Sequence, residues 1–289
     1  MSRVLVLGAA GQVGSAVLQS AVAGYEIIAP TKREADLRQI ELLREFVRDS
    51  KPDAIINCAA FTRVDDAERE SDAAYLMNAE APRVLAECAQ ESGARFVHVS
   101  TDYVYDGGGS PPYAPDAHVS PRSVYGASKF KGEQLVALAN PSAAIVRTAW
   151  VHSAGNLNFV ATAVRIFQQQ KVMHVVDDQI STPTRALHLA GALWAFVARP
   201  HLNGLFHFTD AGVASWYDVA QCVLDTMQRD GLREPKADVA PVPTTDVPRP
   251  AQRPRVSLLD KHATWKALEI VPQHWRVGVA ASTRELIHA

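Results

Sequence analysis

The chain has 289 residues, 47% of them hydrophobic, with 29 Lys plus Arg against 31 Asp plus Glu. That is enough apolar material for one large core or two unequal ones, and the charge balance lacks the basic excess that nucleic acid or an anionic membrane would call for. Cys58, Cys88 and Cys222 stand too far apart for a zinc motif or disulfide framework, no apolar run reaches the length of a membrane span, and Met1 leads straight into a strand-like run with no signal-peptide layout; a cytoplasmic protein is expected.

In chain order, "RVLVLG" (Arg3 to Gly8) is a short apolar run that reads as a buried strand. "GAAGQVG" follows and opens a helix. Its Gly8, Gly11 and Gly14, with Gln12 and Val13 between them, allow a tight turn and a close approach of backbone to a pyrophosphate, which the helix N-terminus favours electrostatically. The spacing is G-x-x-G-x-x-G rather than G-x-G-x-x-G, but the strand–turn–helix context of a dinucleotide site is present. "EIIAP" predicts the second strand. Where an acidic residue would hold a ribose 2′-hydroxyl, the chain offers Lys32 and Arg33. Two cations there suit a 2′-phosphate, with Arg33 the better placed, so NADPH is expected ahead of NADH; the alternative is that both side chains are solvated. Asp36 and Leu37 would border the adenine.

A helix over Gln39 to Asp49 precedes a third strand, "DAIINCAA" (Asp53 to Ala60). Ala59 and Ala60 are small enough to let a cofactor pass close, and Thr62 can bond its pyrophosphate or ribose; paired alanines also suit plain core packing. "PRVLAECAQESG" reads as a helix stopped by Gly93, and "RFVHVST" as a strand ending at Thr101. "SVYGASKFKGE" lies in a helix over Val124 to Ala139 and sets Tyr125 four residues before Lys129, on the same helical face. A phenol beside a fixed cation releases its proton more readily, though the pair could be only a solvated face. "AAIVRTAWV" predicts the next strand. Alternation of strands and helices means βαβ units, a doubly wound parallel sheet of Rossmann type, and a ligand at the carboxyl ends of its strands.

After about Trp150 the rhythm loosens. Residues 1–150 are expected to form the NAD(P)-binding domain and residues 151–289 mainly a smaller substrate-binding region, with some segments returning to the sheet. "NFVATAVRIFQQQK" and "WYDVAQCVLDTMQRDG" look helical, and the tract Glu234 to Arg255, with six prolines, reads as an ordered loop. None of the histidines, His98, His201 and His207 included, pairs with a carboxylate at metal-binding spacing, and no metal site is expected.

"GAAGQVG", "NCAAFTRVDDAE", "VSTDYVYDG", Tyr125-x-x-x-Lys129 and "VRTAWV", in this order and joined by "VVDDQISTPT", "GLFHFTDAGVASWYDVA" and "RPRVSLLDK", resemble the extended short-chain dehydrogenase/reductase superfamily and, within it, the dTDP-4-dehydrorhamnose reductase family. The resemblance covers nearly the whole chain. It implies a catalytic triad of Thr101, Tyr125 and Lys129: the threonine hydroxyl bonds a carbonyl oxygen, the tyrosine protonates it as hydride arrives, and the lysine lowers the phenol pKa and holds the nicotinamide ribose. It further implies substrate contacts from Val64, Asp65, Asp102, Tyr103 and Trp150, with Arg253 a candidate for the nucleotide diphosphate. The implied reaction is NADPH-dependent reduction of dTDP-4-dehydro-L-rhamnose to dTDP-L-rhamnose by a monomer or homodimer. Two positions depart from the family pattern: Val256 replaces an asparagine and Ser181 a glycine, both on the expected substrate side.

Three rivals stay open. A 4,6-dehydratase would carry Asp-Glu after the threonine, but Tyr103 follows Asp102 here. An epimerase would retain NAD, which Lys32 and Arg33 oppose. A non-catalytic relative, like the regulatory subunit of methionine adenosyltransferase, could keep the triad intact. The glycine- and proline-rich stretch 105–121 could be a closing lid or a fixed surface loop.

Overall fold

The sheet that organises the molecule is assembled from the runs richest in buried aliphatic residues. The computed structural model describes residues 1–155, 157–169, 172–230 and 237–288. Strands β1 (Ser2–Leu7), β2 (Tyr25–Ile28), β3 (Ala54–Asn57), β4 (Arg95–Thr101), β5 (Ala144–Thr148) and β6 (Gly204–His207) form one parallel sheet in the order β6-β5-β4-β3-β1-β2. Side chains alternate between its faces. Val4, Val6, Ile56, Val97 and Val146 point to one core, and Leu5, Leu7, Ile55, Phe96 and Ile145 to the other.

The first face is covered by α1 (Gln12–Gln19) and by a helix from the later part of the chain, Ala186–Ala198. The second is covered by α2 (Ile40–Ser50), α3 (Ala81–Ser92) and α4 (Val124–Ala139). From β1 the chain runs outward to β2, then crosses to β3 on the other side of β1. That reversal opens the crevice in which sheets of this kind bind ligands. The sixth strand comes from residues 204–207, so the later part of the chain completes the sheet.

Over the carboxyl ends lies a smaller body with its own core. Helices α5 (Phe159–Gln169), α6 (the Ala186–Ala198 helix above), α7 (Trp216–Arg229) and α8 (Trp275–His288) follow in chain order. Of these, α5, α7 and α8 bury Val160, Val164, Phe167, Val223, Met227, Trp275 and Val279 together. Short strand pairs tie this body: Val151–His152 with Thr184–Arg185, Ile180–Ser181 with Ala214–Ser215, and Val172–Val176 with Asp238–Val242.

The last pair corrects one expectation. Part of the proline-rich tract is not loop but strand, in parallel register from Asp238↔Val172 to Val242↔Val176. A two-stranded ribbon exposes one edge of each strand, so Pro241 can occupy it without losing a ladder bond. Residues 234–236 of that tract lie outside the described residues, as do Gln170 and Lys171 of "NFVATAVRIFQQQK" and Gly231 of "WYDVAQCVLDTMQRDG". Stretch 105–121 is anchored at several points: Tyr113 N donates to the Leu258 carbonyl at 2.8 Å, Asp260 N to the Tyr113 carbonyl at 2.8 Å, and Ser120 N to the Val104 carbonyl at 3.1 Å.

Candidate active site

Gly8 turns the chain at the end of β1 with φ +75, a conformation a side chain would resist. A Cβ there would also come within 2.7 Å of the Ala59 nitrogen, so the loops after β1 and β3 meet at the switch point. Gly11 N closes the turn on the Gly8 carbonyl at 2.9 Å and caps α1, with Gln12, Val13 and Gly14 in its first turn. No side chain caps that N-terminus and its first turn holds no acidic residue, which leaves the amides and the positive end of the helix dipole for an anion. Ala59 and Ala60 are half-buried beside the turn; Thr62 is exposed.

Past β2, Lys32 and Arg33 are both exposed. Asp36 is buried, and Arg38 donates to it from Nε at 3.0 Å and from a terminal nitrogen at 2.6 Å, which holds its carboxyl down at about 2. Leu37 belongs to the core beside α2 and α3. Both side chains are therefore engaged within the protein.

Thr101 ends β4. Its Oγ1 accepts from Tyr103 N at 3.2 Å and donates to Asp102 Oδ1 at 3.1 Å. Helix α4 begins at a serine cap, with Gly126 N donating to Ser123 Oγ at 3.1 Å. It presses so closely on the turn after β4 that a Cβ at Gly126 would lie 2.2 Å from the Tyr103 carbonyl oxygen. That contact brings Tyr125 over Thr101. The Tyr125 ring meets Tyr103 edge-on at 5.7 Å and is part-buried.

One turn along α4, Lys129 is 2% exposed. Its Nζ donates to the Val99 carbonyl at 2.7 Å and stands 3.4 Å from His98 Nε2. Burial pushes the Lys129 ammonium down to about 8 and, with that ammonium alongside, holds His98 neutral. The expected lowering of the phenol by Lys129 is absent from this geometry. Burial raises Tyr125 to about 12, the Thr101 hydroxyl is what opposes it, and the lysine is turned to a backbone carbonyl. Tyr125 is thus a neutral acid at any physiological pH.

On the other wall, Val64 and Asp65 open a short helix, Val64–Ala67. Arg253, expected at a diphosphate, grips Asp65 with two bonds of 2.9 Å and also donates to the Ala251 carbonyl at 2.9 Å. The pair joins the loop after β3 to the segment that follows the proline-rich strand. Asp102 is 2% exposed, with the Ser257 hydroxyl donating to its Oδ2. Trp150 has φ +47, a conformation a bulky residue holds only under constraint. The constraint is a stack on Trp216, 3.6 Å between centroids and 10° between planes, with Phe159 leaning on Trp216 at 4.7 Å.

Trp216, Ser257 and the His98–Asn57 pair (3.1 Å) were not foreseen from the sequence. Trp216 alone had a local signal, in the aromatic pair after a helix-capping serine. Among the described residues no group of His, Cys, Asp and Glu side chains could hold a metal ion, and no helix is long and apolar enough to cross a membrane.

Comparison with known proteins places these features in context. Residues 2–287 match the model of the RmlD substrate binding domain. The chain is 37% identical over 286 residues to the spore coat polysaccharide biosynthesis protein SpsK of Bacillus subtilis, covering 99% of this chain and 98% of that one. It is 36% identical to the dTDP-4-dehydrorhamnose reductase of Burkholderia thailandensis over 295 residues, 99% of each chain. The crystal structure of dTDP-4-dehydrorhamnose reductase from Bacillus anthracis in complex with NADP superposes with a TM-score of 0.92 at 32% identity, over 99% of this chain and 100% of that one.

Proposed function

The chain belongs to the RmlD family of nucleotide-sugar 4-ketoreductases, NAD(P)-dependent enzymes, and from that premise we propose that it reduces the C4 ketone of dTDP-4-dehydro-L-rhamnose to dTDP-L-rhamnose with NADPH. The observation that carries the reading is the meeting of Thr101, Tyr125 and Lys129 at the carboxyl end of β4, on the same sheet edge as the glycine turn.

The reduced nicotinamide supplies the hydride. The chain's residues do the rest. The α1 amides and Gly8 turn would hold the pyrophosphate, Arg33 would meet the 2′-phosphate, and Lys129 would hold the nicotinamide ribose. Thr101 and Tyr125 converge on the ketone oxygen, and the phenol delivers its proton as negative charge develops there. Residues before about Trp150 bind mainly the cofactor; later residues supply most of the sugar-nucleotide contacts, with Trp150 set against the hexose by its Trp216 stack and the Asp65–Arg253 pair at the mouth.

Elimination is disfavoured because Tyr103, stacked edge-on against Tyr125, occupies the position a second carboxylate would need. A related 4-keto sugar is the second reading, favoured by Ser181, whose buried hydroxyl donates to the Ser257 carbonyl at 3.2 Å on the wall beside Asp102. The test is product identity. With NADPH and dTDP-4-dehydro-L-rhamnose, NMR is expected to find dTDP-L-rhamnose; unreacted ketone, or reduction giving the opposite configuration at C4, would overturn the proposal.

A further inference from the structure

The turn that follows β2 carries Lys32, Arg33 and Glu34 in succession, all exposed. An acid beside two cations is out of place where a phosphate should dock, because it repels the anion that the cations attract. Its geometry gives it another task. Glu34 Oε2 accepts from the Thr31 backbone N at 2.8 Å and from the Thr31 hydroxyl at 2.8 Å. In return the Thr31 carbonyl accepts from Glu34 N and Ala35 N, both at 3.1 Å. Thr31 and Glu34 thus close on each other through side chain and backbone. The spacing is the T-x-x-E of a helix-capping box, but it encloses one isolated turn, since α2 starts only at Ile40. The bonds from Thr31 hold the Glu34 carboxyl below its usual range, so it is ionised and the closure is made at neutral pH.

Lys32 and Arg33 are the two residues inside that closure. Past Glu34 the chain is fixed again: Ala35 and Leu37 enter the core beside α2 and α3, and Arg38 grips Asp36. The two exposed cations are therefore carried on a turn that is held at both of its ends.

We propose that Glu34 is a positioning residue for cofactor choice: by closing on Thr31 it keeps the turn in the shape that presents Arg33 to the 2′-phosphate of NADPH. The inference rests on Arg33 reading that phosphate. The gain is preorganisation. A loose turn samples many shapes, and NADPH affinity falls with the fraction of time spent in the competent one. NADH has no 2′-phosphate, so its affinity is blind to the shape of this turn. The charge of Glu34 works against NADPH, whereas its hydrogen-bond acceptor works for it, and the two effects are separable. The rival role for an acid after β2 is to hold the ribose 2′-hydroxyl of NADH; an oxygen already bonded twice to Thr31 favours the prop over the ribose ligand.

Titration calorimetry of the whole protein with NADPH and with NADH tests this through two substitutions. Glu34→Gln removes the charge and keeps an acceptor for Thr31; Glu34→Ala removes both. The variants share the loss of charge, so the ratio of their NADPH dissociation constants reports the closure alone. Glu34→Ala should bind NADPH roughly fivefold more weakly than Glu34→Gln, the size of a lost cap, while both bind NADH within about twofold of the parent. The NADH arm also shows that each variant is folded. In an Arg33→Ala background the NADPH ratio should fall to about one, because the closure acts through that side chain. Equal NADPH affinities for Glu34→Ala and Glu34→Gln would leave the carboxylate as a charge and nothing more. Weaker NADH binding in both would make it a ribose ligand, and a ratio that persists without Arg33 would make it a general prop. Each of these results overturns the proposal. Arg33→Ala by itself separates the two levels: if it loses NADPH selectively while the ratio fails, only the role of Glu34 is wrong; if it loses both cofactors equally, the reading of Arg33 falls and the role of Glu34 with it.

Discussion

Two side chains carry most of the chemical argument. Tyr125 is kept neutral by burial. Tyr125→Phe should lower steady-state turnover by roughly 10²–10⁴-fold, the range for general acid catalysis, with NADPH affinity nearly unchanged because the ring and its contact with Tyr103 remain. Turnover close to the parent, measured by NADPH oxidation, would remove the phenol from the mechanism. Arg33 is exposed, so its guanidinium is open to a 2′-phosphate. Arg33→Ala should weaken NADPH binding by about 1.5–3 kcal/mol, the range for a hydrogen bond to a charged group, and leave NADH binding almost as it was. Equal losses for the two cofactors in titration calorimetry would mean that Arg33 does not read the phosphate. Tyr125, Lys129 and the glycines were legible because they form local patterns on one helix and one turn. Asp65–Arg253 and Asp102–Ser257 were not, because each joins residues more than a hundred positions apart and only the fold brings them together.

At the level of elements, the placement of α4 against β4 and β5 depends on a buried polar cluster. Arg147, from β5, is 2% exposed and grips Glu133 of α4 from Nε at 2.8 Å and a terminal nitrogen at 2.6 Å. Its other terminal nitrogen donates to the Tyr105 hydroxyl at 2.6 Å and the Pro115 carbonyl at 3.2 Å; Ser100 of β4 donates to Glu133 at 2.5 Å. The cluster fastens α4, sheet and stretch 105–121 at one point, one turn from Lys129. Arg147→Met should cost about 3–5 kcal/mol in urea unfolding, since it strands a buried carboxylate. Adding Glu133→Gln should recover part of it, and a loss below about 1 kcal/mol would show the pair to be dispensable. The same anchoring argues for a fixed loop over a lid. The strands β1 to β5 and the helix over Val124–Ala139 could be read from continuous buried runs and a serine cap. The two-residue strands of the smaller body could not: such pairs have no periodicity, and the proline-rich strand is defined only by its neighbour, Val172–Val176.

For the molecule as a whole, the division of labour between cofactor and sugar nucleotide follows the sheet's direction. Amides of the Gly8–Gly14 turn should gain hydrogen-exchange protection on adding NADPH alone. Those near Trp150 to Phe159 (Asn156 lies outside the described residues) and Arg253 to Ser257 should gain it only when the sugar nucleotide follows. Sugar-nucleotide protection confined to residues before Asn140 would give those later segments another task. The central claim, reduction of a C4 ketone on a dTDP-linked 6-deoxyhexose, is tested most directly by measuring kcat/KM for NADPH oxidation across a panel of nucleotide-linked 4-keto-6-deoxyhexoses that varies the base and the configuration at each carbon. The account expects dTDP-4-dehydro-L-rhamnose to give the highest value and Tyr125→Phe to lower it by roughly 10²–10⁴-fold; no oxidation with any member, or a better substrate outside the dTDP series, would contradict it.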